Sequence, residues 1–215
     1  MQPREKALSQ GFNSLSDSEL LAIILRSGYK GCSAIKMAED ILCEVGGLSG
    51  LMKLSMSEIM DLKGIKMAKA AELLASMELV RRLNYQQVLD CDVISHPKHL
   101  IDWLKKTIGL LQQEYLIAVF LDVKNHVIGY KEVFKGSIDN VNIQARDIFA
   151  QALKTGAARI IIAHNHPSQS VLPSNADDEV TMSLYQASLL MNIPLMDHII
   201  VSYDNYFSYK EQGRL

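Results

Sequence analysis

No histidine occurs in the first 90 of the 215 residues; all six (His96, His99, His126, His164, His166 and His198) lie after them. Chemistry that needs imidazole can therefore come only from the second half. Excess charge is equally scarce. The chain sets 22 Lys+Arg against 24 Asp+Glu, a net −2 with histidine neutral, so there is no global basic field to hold nucleic acid by charge alone. Cysteine is limited to Cys32, Cys43 and Cys91, odd in number, widely spaced and without a C-x-x-C. That excludes a disulfide framework and points to a reducing compartment. No run reaches the ~18–20 apolar residues of a membrane span. The start, MQPREKALSQ, has no apolar signal-peptide core. A cytoplasmic protein without membrane association is expected. No internal repeat is visible. At 48% hydrophobic residues the chain is not a disordered one.

What is present falls into two textures. Residues 1–83 read as short helices. Ser16 precedes DSELLAIIL with Glu19 three residues on, the signature of a capping box. SAIKMAEDILCEV reads as a second helix stopped by Gly46-Gly47, LSGLMKL and SMSEIMDL as short ones, and KMAKAAELLASMELVRRL as a longer one rich in good helix formers. Residues 84–95, NYQQVLDCDVIS, lose the helical period and read as an inter-domain linker. From residue 96 to 215, helices alternate with β-rich runs. HPKHLIDWLKKTIGL is a helix with Pro97 at its start. YLIAVFLDV and VIGYKEVF form a hairpin turning at Asn125-His126. NIQARDIFAQALKTGA is a helix, ARIIIAHNHP a buried strand, SNADDEVTMSLYQASLLMN a helix and IPLMDHIIVS a strand, with YFSY after a turn at Asp204-Asn205. This alternation predicts an α/β layered domain with a mixed sheet behind a small all-α domain.

The segment AHNHPSQSVLPSNAD, Ala163 to Asp177, concentrates the chemistry. His164 and His166 stand at i and i+2 past a strand, so both can face one side of the sheet's end. Asp177 falls in the first turn of the next helix. Two imidazoles and a carboxylate are good ligands for zinc, and a catalytic zinc keeps a fourth position open for water. Two plainer readings remain: Ser174 and Asp177 have the spacing of a capping box, and an H-x-H pair is common on surface loops. The letters H-N-H alone are weak support for an HNH nuclease, whose residues spread over a longer element.

The run His164-x-His166-Pro167, then Ser174 and Asp177, resembles the zinc motif of the JAMM/MPN+ metalloproteases, the deubiquitinating and desampylating isopeptidases. The flanks AHNHPS, LPSNADDEVT, LMDHIIVS and YFSYKEQG, with PREK, LSDSELLAIILRSG and KGIKMAKAAEL near the N-terminus, are similar to the bacterial RadC-like branch, so the resemblance covers almost the whole chain. It implies a JAMM/MPN-type α/β (α+β) fold with cytidine-deaminase-like layering. It also implies one zinc per chain on His164, His166 and Asp177, and hydrolysis of a peptide or isopeptide bond in a protein or peptide substrate. The pattern's upstream glutamate is placed at Glu132, in YKEVFKG, as general acid/base, and Ser174 as donor to the tetrahedral oxyanion. Gln169 stands where the branch usually has glycine. His198, in LMDHIIV, is read as a structural histidine of a buried strand, with support of the metal ligands or service as an alternative ligand as the other options.

GIKMAKA, Gly64 to Ala70, resembles the hairpin of a helix-hairpin-helix module, which binds DNA phosphates through backbone N–H groups. Lys66 replaces the hairpin's second glycine. Residues 63–82 carry five cations (Lys63, Lys66, Lys69, Arg81, Arg82) against Glu72 and Glu78, a net +3. Any DNA contact would centre on Lys63, Gly64, Lys66 and Lys69 and be weak and salt-sensitive; a helical module that packs on the catalytic domain or a partner protein is the other reading of this segment. The branch's historical label, DNA repair protein, gives the alternative function: a DNA-associated accessory protein with a structural or vestigial metal site. The sequence leaves the oligomeric state open.

Overall fold

The computed structural model describes residues 1–89, 91–136 and 144–215. It divides into two compact units, Met1–Val80 and Arg81–Leu215.

The first unit is helical: α1 (Pro3–Gln10), α2 (Asp17–Leu25), α3 (Ala34–Val45), α4 (Leu48–Leu51), α5 (Met56–Asp61) and the N-terminal part of α6 (Met67–Leu89). Its helix starts follow local chemistry. Ser16 and Ser55 each accept the amide of the residue three on, and Glu19 and Glu58 return a bond to the serine amides. Gly46, at φ +77°, ends α3 in the left-handed conformation. The core is Leu25, Met37, Ile41, Leu51, Ile59 and Leu73, with smaller apolar neighbours.

Gly64 is part of that packing. It sits at φ +86°, and a Cβ there would lie 2.5 Å from the Tyr29 ring and 2.7 Å from the Met37 sulfur. Gly64→Ala therefore combines a left-handed backbone with a steric conflict. It is expected to lower unfolding stability by about 2–4 kcal/mol, read as a lower melting temperature of the first unit's transition.

The second unit is an α/β/α sandwich, with α7 (Pro97–Thr107), β1 (Glu114–Leu121), β2 (Val127–Gly136), α8 (Ala145–Thr155), β3 (Arg159–Asn165), α9 (Asn175–Met191), β4 (Leu195–Val201) and β5 (Tyr206–Ser208). The strand order is β2-β1-β3-β4-β5; β3 and β4 run parallel and every other pair antiparallel. The expected mixed sheet flanked by helices is therefore present. The first two residues of the predicted helix before Gly156, 142 and 143, lie outside the described residues.

Both faces of the sheet are covered, which is why the strands read as continuous apolar runs. Ile117, Val119, Ile161, Ala163, Ile199 and Val201 face α7. Leu116, Ala118, Phe120, Ile160, Ile162 and Leu195 face α8 and α9.

Within the expected linker, the described residues are ordered. Residues 84–89 complete α6, and Val88 and Val93 are buried in the α7-side core. The Tyr85 ring contacts Trp103 and Tyr130 at centroid distances of 5.2 and 5.3 Å. Tyr85, Val88 and Leu89 do keep i, i+3, i+4 spacing, but the stripe lasts barely one turn and polar residues dilute it. Asp90 lies outside the described residues. Among the described residues no helix is long and apolar enough to cross a membrane.

Candidate metal centre

Alternation along β3 decides the geometry. Ile160 and Ile162 face α8 and α9, so His164 faces them too and is fully buried. His166 follows two residues on, just beyond the strand. Its Nδ1 lies 2.8 Å from the Ser170 carbonyl oxygen; since that oxygen can only accept, Nδ1 carries a hydrogen, and the neutral ring has its lone pair on Nε2. Gln169, in the loop between, adopts φ +64° where glycine would be unstrained. Its amide offsets this by tying the loop down: Nε2 donates to Gly109 O (3.0 Å) and Oε1 accepts from Tyr203 N (3.1 Å).

Asp177 comes from the first turn of α9. Ser174 is the N-cap, accepting the Asp177 amide (3.2 Å), while the Ser174 amide and hydroxyl both donate to Asp177 Oδ2 (2.7 Å each). The capping box and the metal motif are thus one arrangement, in which the cap orients the carboxylate. The two imidazole Nε2 atoms are 3.0 Å apart. Asp177 Oδ1 lies 3.1 Å from His164 Nε2 and Oδ2 lies 3.3 Å from His166 Nε2. Asp177 Oδ1 is buried and accepts no hydrogen bond. Burial pushes the Asp177 carboxyl up, but the two imidazoles and the Ser174 amide outweigh it and hold the carboxyl well below the ordinary range. The same carboxylate raises His166 above its usual value, against an opposing effect of burial.

A buried carboxylate with one orphaned oxygen, set against two imidazole nitrogens, is a nitrogen–oxygen donor set that suits a divalent cation such as zinc. A second carboxylate lies beside these three. Donor atoms of Glu114, His164, His166 and Asp177 lie within 4.8 Å of one another. Glu132 is exposed on β2 and outside this group. The reason is strand parity. Glu132 pairs with Ile117, which faces α7, whereas Leu116 pairs with His164 on the α9 side. Glu114 is two residues before Leu116 and shares its face. Asn165, fully buried, fixes this strand end: its side chain accepts from Tyr115 N (2.8 Å) and donates to Leu111 O and Gln113 O (3.1 Å each).

The residues singled out for DNA contact are partly engaged within the first unit. Lys63 lies over the Tyr29 ring at 5.4 Å, and Lys69 donates to the carbonyls of Ser27 and Gly28. Gly64 packs against Tyr29, and Lys66 is exposed.

A family model for the RadC-like JAB domain matches residues 94–214, and one for the UPF0758 N-terminal domain matches residues 1–71. Among the relatives are UPF0758 proteins of Clostridium botulinum (strain Alaska E43 / Type E3), 41% identical over 212 residues, and Leptothrix cholodnii (strain ATCC 51168 / LMG 8142 / SP-6), 36% identical over 215 residues. The first alignment spans 98% of this chain and 93% of the relative, the second 100% and 97%. A UPF0758 protein of Clostridium perfringens (strain 13 / Type A) is 42% identical over 213 residues, 99% of this chain and 93% of its own length. The chain therefore belongs to the UPF0758 family, and its histidine–carboxylate cluster lies within the family's RadC-like JAB domain.

Proposed function

We propose that the JAB domain is a zinc-dependent hydrolase of peptide or isopeptide bonds in a protein or peptide substrate, with one zinc per chain. The observation that carries this reading is the convergence of His164 Nε2, His166 Nε2 and the unsatisfied Asp177 Oδ1 beside the carboxylate of Glu114. The JAMM-type order of the motif supports it independently. Zinc in such a site supplies Lewis acidity and lowers the pKa of a water to ~7.

The chain's own groups do the rest. Glu114 takes the proton of the attacking water and hands it to the leaving amine; this replaces the assignment of that role to Glu132. Ser174 first holds Asp177 in position. By exchanging that hydrogen bond, its hydroxyl can turn to the oxyanion that develops on the substrate. Burial of His164 and Asp177 strengthens each of these electrostatic contacts relative to water.

The direct test is metal analysis of the purified protein. Near-stoichiometric zinc is expected in the wild type and its loss in the double variant His164→Ala/His166→Ala. A double variant that keeps its zinc sinks the assignment.

A further inference from the structure

Behind His164, on the side of the ring away from Asp177, runs a buried chain of three hydrogen bonds. His164 Nδ1 lies 2.8 Å from His198 Nε2, His198 Nδ1 lies 2.6 Å from Thr181 Oγ1, and Thr181 Oγ1 donates to the Asp177 carbonyl oxygen at 2.6 Å. His164, His198 and Thr181 are all buried. The Tyr209 ring stacks flat on His198, with centroids 5.1 Å apart and planes 9° apart, which fixes the imidazole's orientation.

Only one set of hydrogens makes all three contacts hydrogen bonds at once. A carbonyl oxygen only accepts, so the single hydroxyl hydrogen of Thr181 goes to Asp177 O. Thr181 Oγ1 must then accept from His198, which puts a hydrogen on His198 Nδ1. Both His198 nitrogens are committed to this chain, and no carboxylate bonds the ring among the described residues. A fully buried imidazole without a bonded counter-charge stays neutral, so His198 Nε2 is an acceptor. His164 therefore carries its hydrogen on Nδ1 and presents a bare Nε2 toward Asp177 and His166.

We propose that Thr181 and His198 are positioning residues that impose the Nδ1–H tautomer on His164 and so hold its Nε2 lone pair ready for a cation. The consequence for zinc rests on the metal reading above; the tautomer is read from the hydrogen bonds of Thr181 and His198. The terminus of the relay is the backbone of Asp177 itself. One hydroxyl thus links the placement of two ligands, the carboxylate through its own helix and the imidazole through His198. Without the Thr181 hydroxyl, His198 would move its hydrogen to Nε2, where it has a partner. That would force the His164 hydrogen onto Nε2, the atom needed for the ion.

The experiment uses the full chain, stripped of metal with chelator and held above pH 8, with long-range ¹H–¹⁵N correlations reading the histidine tautomers. Wild type is expected to show His164 as Nδ1–H, and Thr181→Val to shift it toward Nε2–H, while Thr181→Ser keeps the wild-type pattern. Zinc affinity, by competition with a chromophoric chelator, is expected to fall about 10–100-fold in Thr181→Val and to be restored in Thr181→Ser. Wild-type His164 protonated on Nε2 overturns the proposal, and this holds even if Thr181→Val fails to fold. So does a folded Thr181→Val with an unchanged His164 tautomer or unchanged zinc affinity. A wild type with the expected tautomer, altered in Thr181→Val, that binds no zinc leaves the relay standing and overturns the metal reading instead.

Discussion

Glu114→Gln is expected to retain zinc and to lower turnover of a cleavable peptide by about 10²–10⁴-fold, the usual contribution of a positioned acid/base group. Glutamine keeps the size of the side chain and can still accept a hydrogen bond, but it cannot take the proton of the attacking water. The strand end should survive the change. Asn165 anchors the backbone on both sides of Glu114, through Tyr115 N and the carbonyls of Leu111 and Gln113, and none of these bonds uses the Glu114 side chain. Glu132→Gln is the matched control. It alters an exposed residue whose strand partner, Ile117, faces the opposite side of the sheet from His164, so turnover should stay near wild type. In cells, uncleaved conjugates should accumulate with Glu114→Gln and not with Glu132→Gln. The reverse pattern would return the proton-carrying role to Glu132. Identical conjugate profiles for wild type and Glu114→Gln would argue against proteolysis.

The contrast between these two glutamates marks what the sequence could and could not carry. Local features were legible. The serine caps at Ser16 and Ser174, the stop at Gly46 and the apolar runs of β1 and β3 each depend on residues within a few positions of one another. The cluster's local half was legible for the same reason: His164 and His166 share a face by strand alternation, and Asp177 is fixed by its own cap. Glu114 enters from a different strand. Its place depends on the pairing of Leu116 with His164 and on the irregularity between Leu116 and Ile117 that shifts the β2 register. No residue near Glu114 encodes either one. The signal available was weak: Glu114 immediately precedes the continuous apolar run of β1, and a polar residue at the start of a buried strand points to the sheet's end, where βα-type sites gather. Thr181 and His198 were harder still, because their roles arise from a hydrogen-bond chain joining α9, β4 and β3. Packing around residues 85–93 was not legible either. A short apolar stripe among polar residues looked like a linker, because the Trp103 and Tyr130 side chains that Tyr85 contacts come from α7 and β2.

Asp177→Asn should produce the largest change in the metal-free protein's pH profile as well as the loss of zinc. Asparagine keeps the side-chain shape, and its amide oxygen can still accept from the Ser174 amide, so α9 keeps its start. The negative charge between the two imidazoles is gone. Losing groups that merely support a ligand weakens metal binding by about 10–100-fold, and losing a ligand should exceed that. The signs for stability in chelator follow from the two shifts. The folded Asp177 carboxyl titrates below its ordinary 3.8, so its contribution is present above pH 3.8 and disappears as the pH falls through the folded value. Folded His166 titrates above its ordinary 6.5, first because of Asp177 and against burial, so its contribution is present below pH 6.5 and disappears as the pH rises through the folded value. Both act together between pH 3.8 and 6.5. Metal-free wild type should therefore show its largest advantage over Asp177→Asn within that window, and the advantage should decline progressively as the pH falls below 3.8 or rises above 6.5. Zinc should reverse the alkaline side for wild type alone, since a proton leaving His166 vacates the place an ion takes, and metal affinity should rise with pH there. Thermal melts from pH 3 to 9, with chelator and with zinc, test this directly. Parallel curves for wild type and Asp177→Asn in chelator would mean that the proton shared between His166 and Asp177 does not stabilise the site.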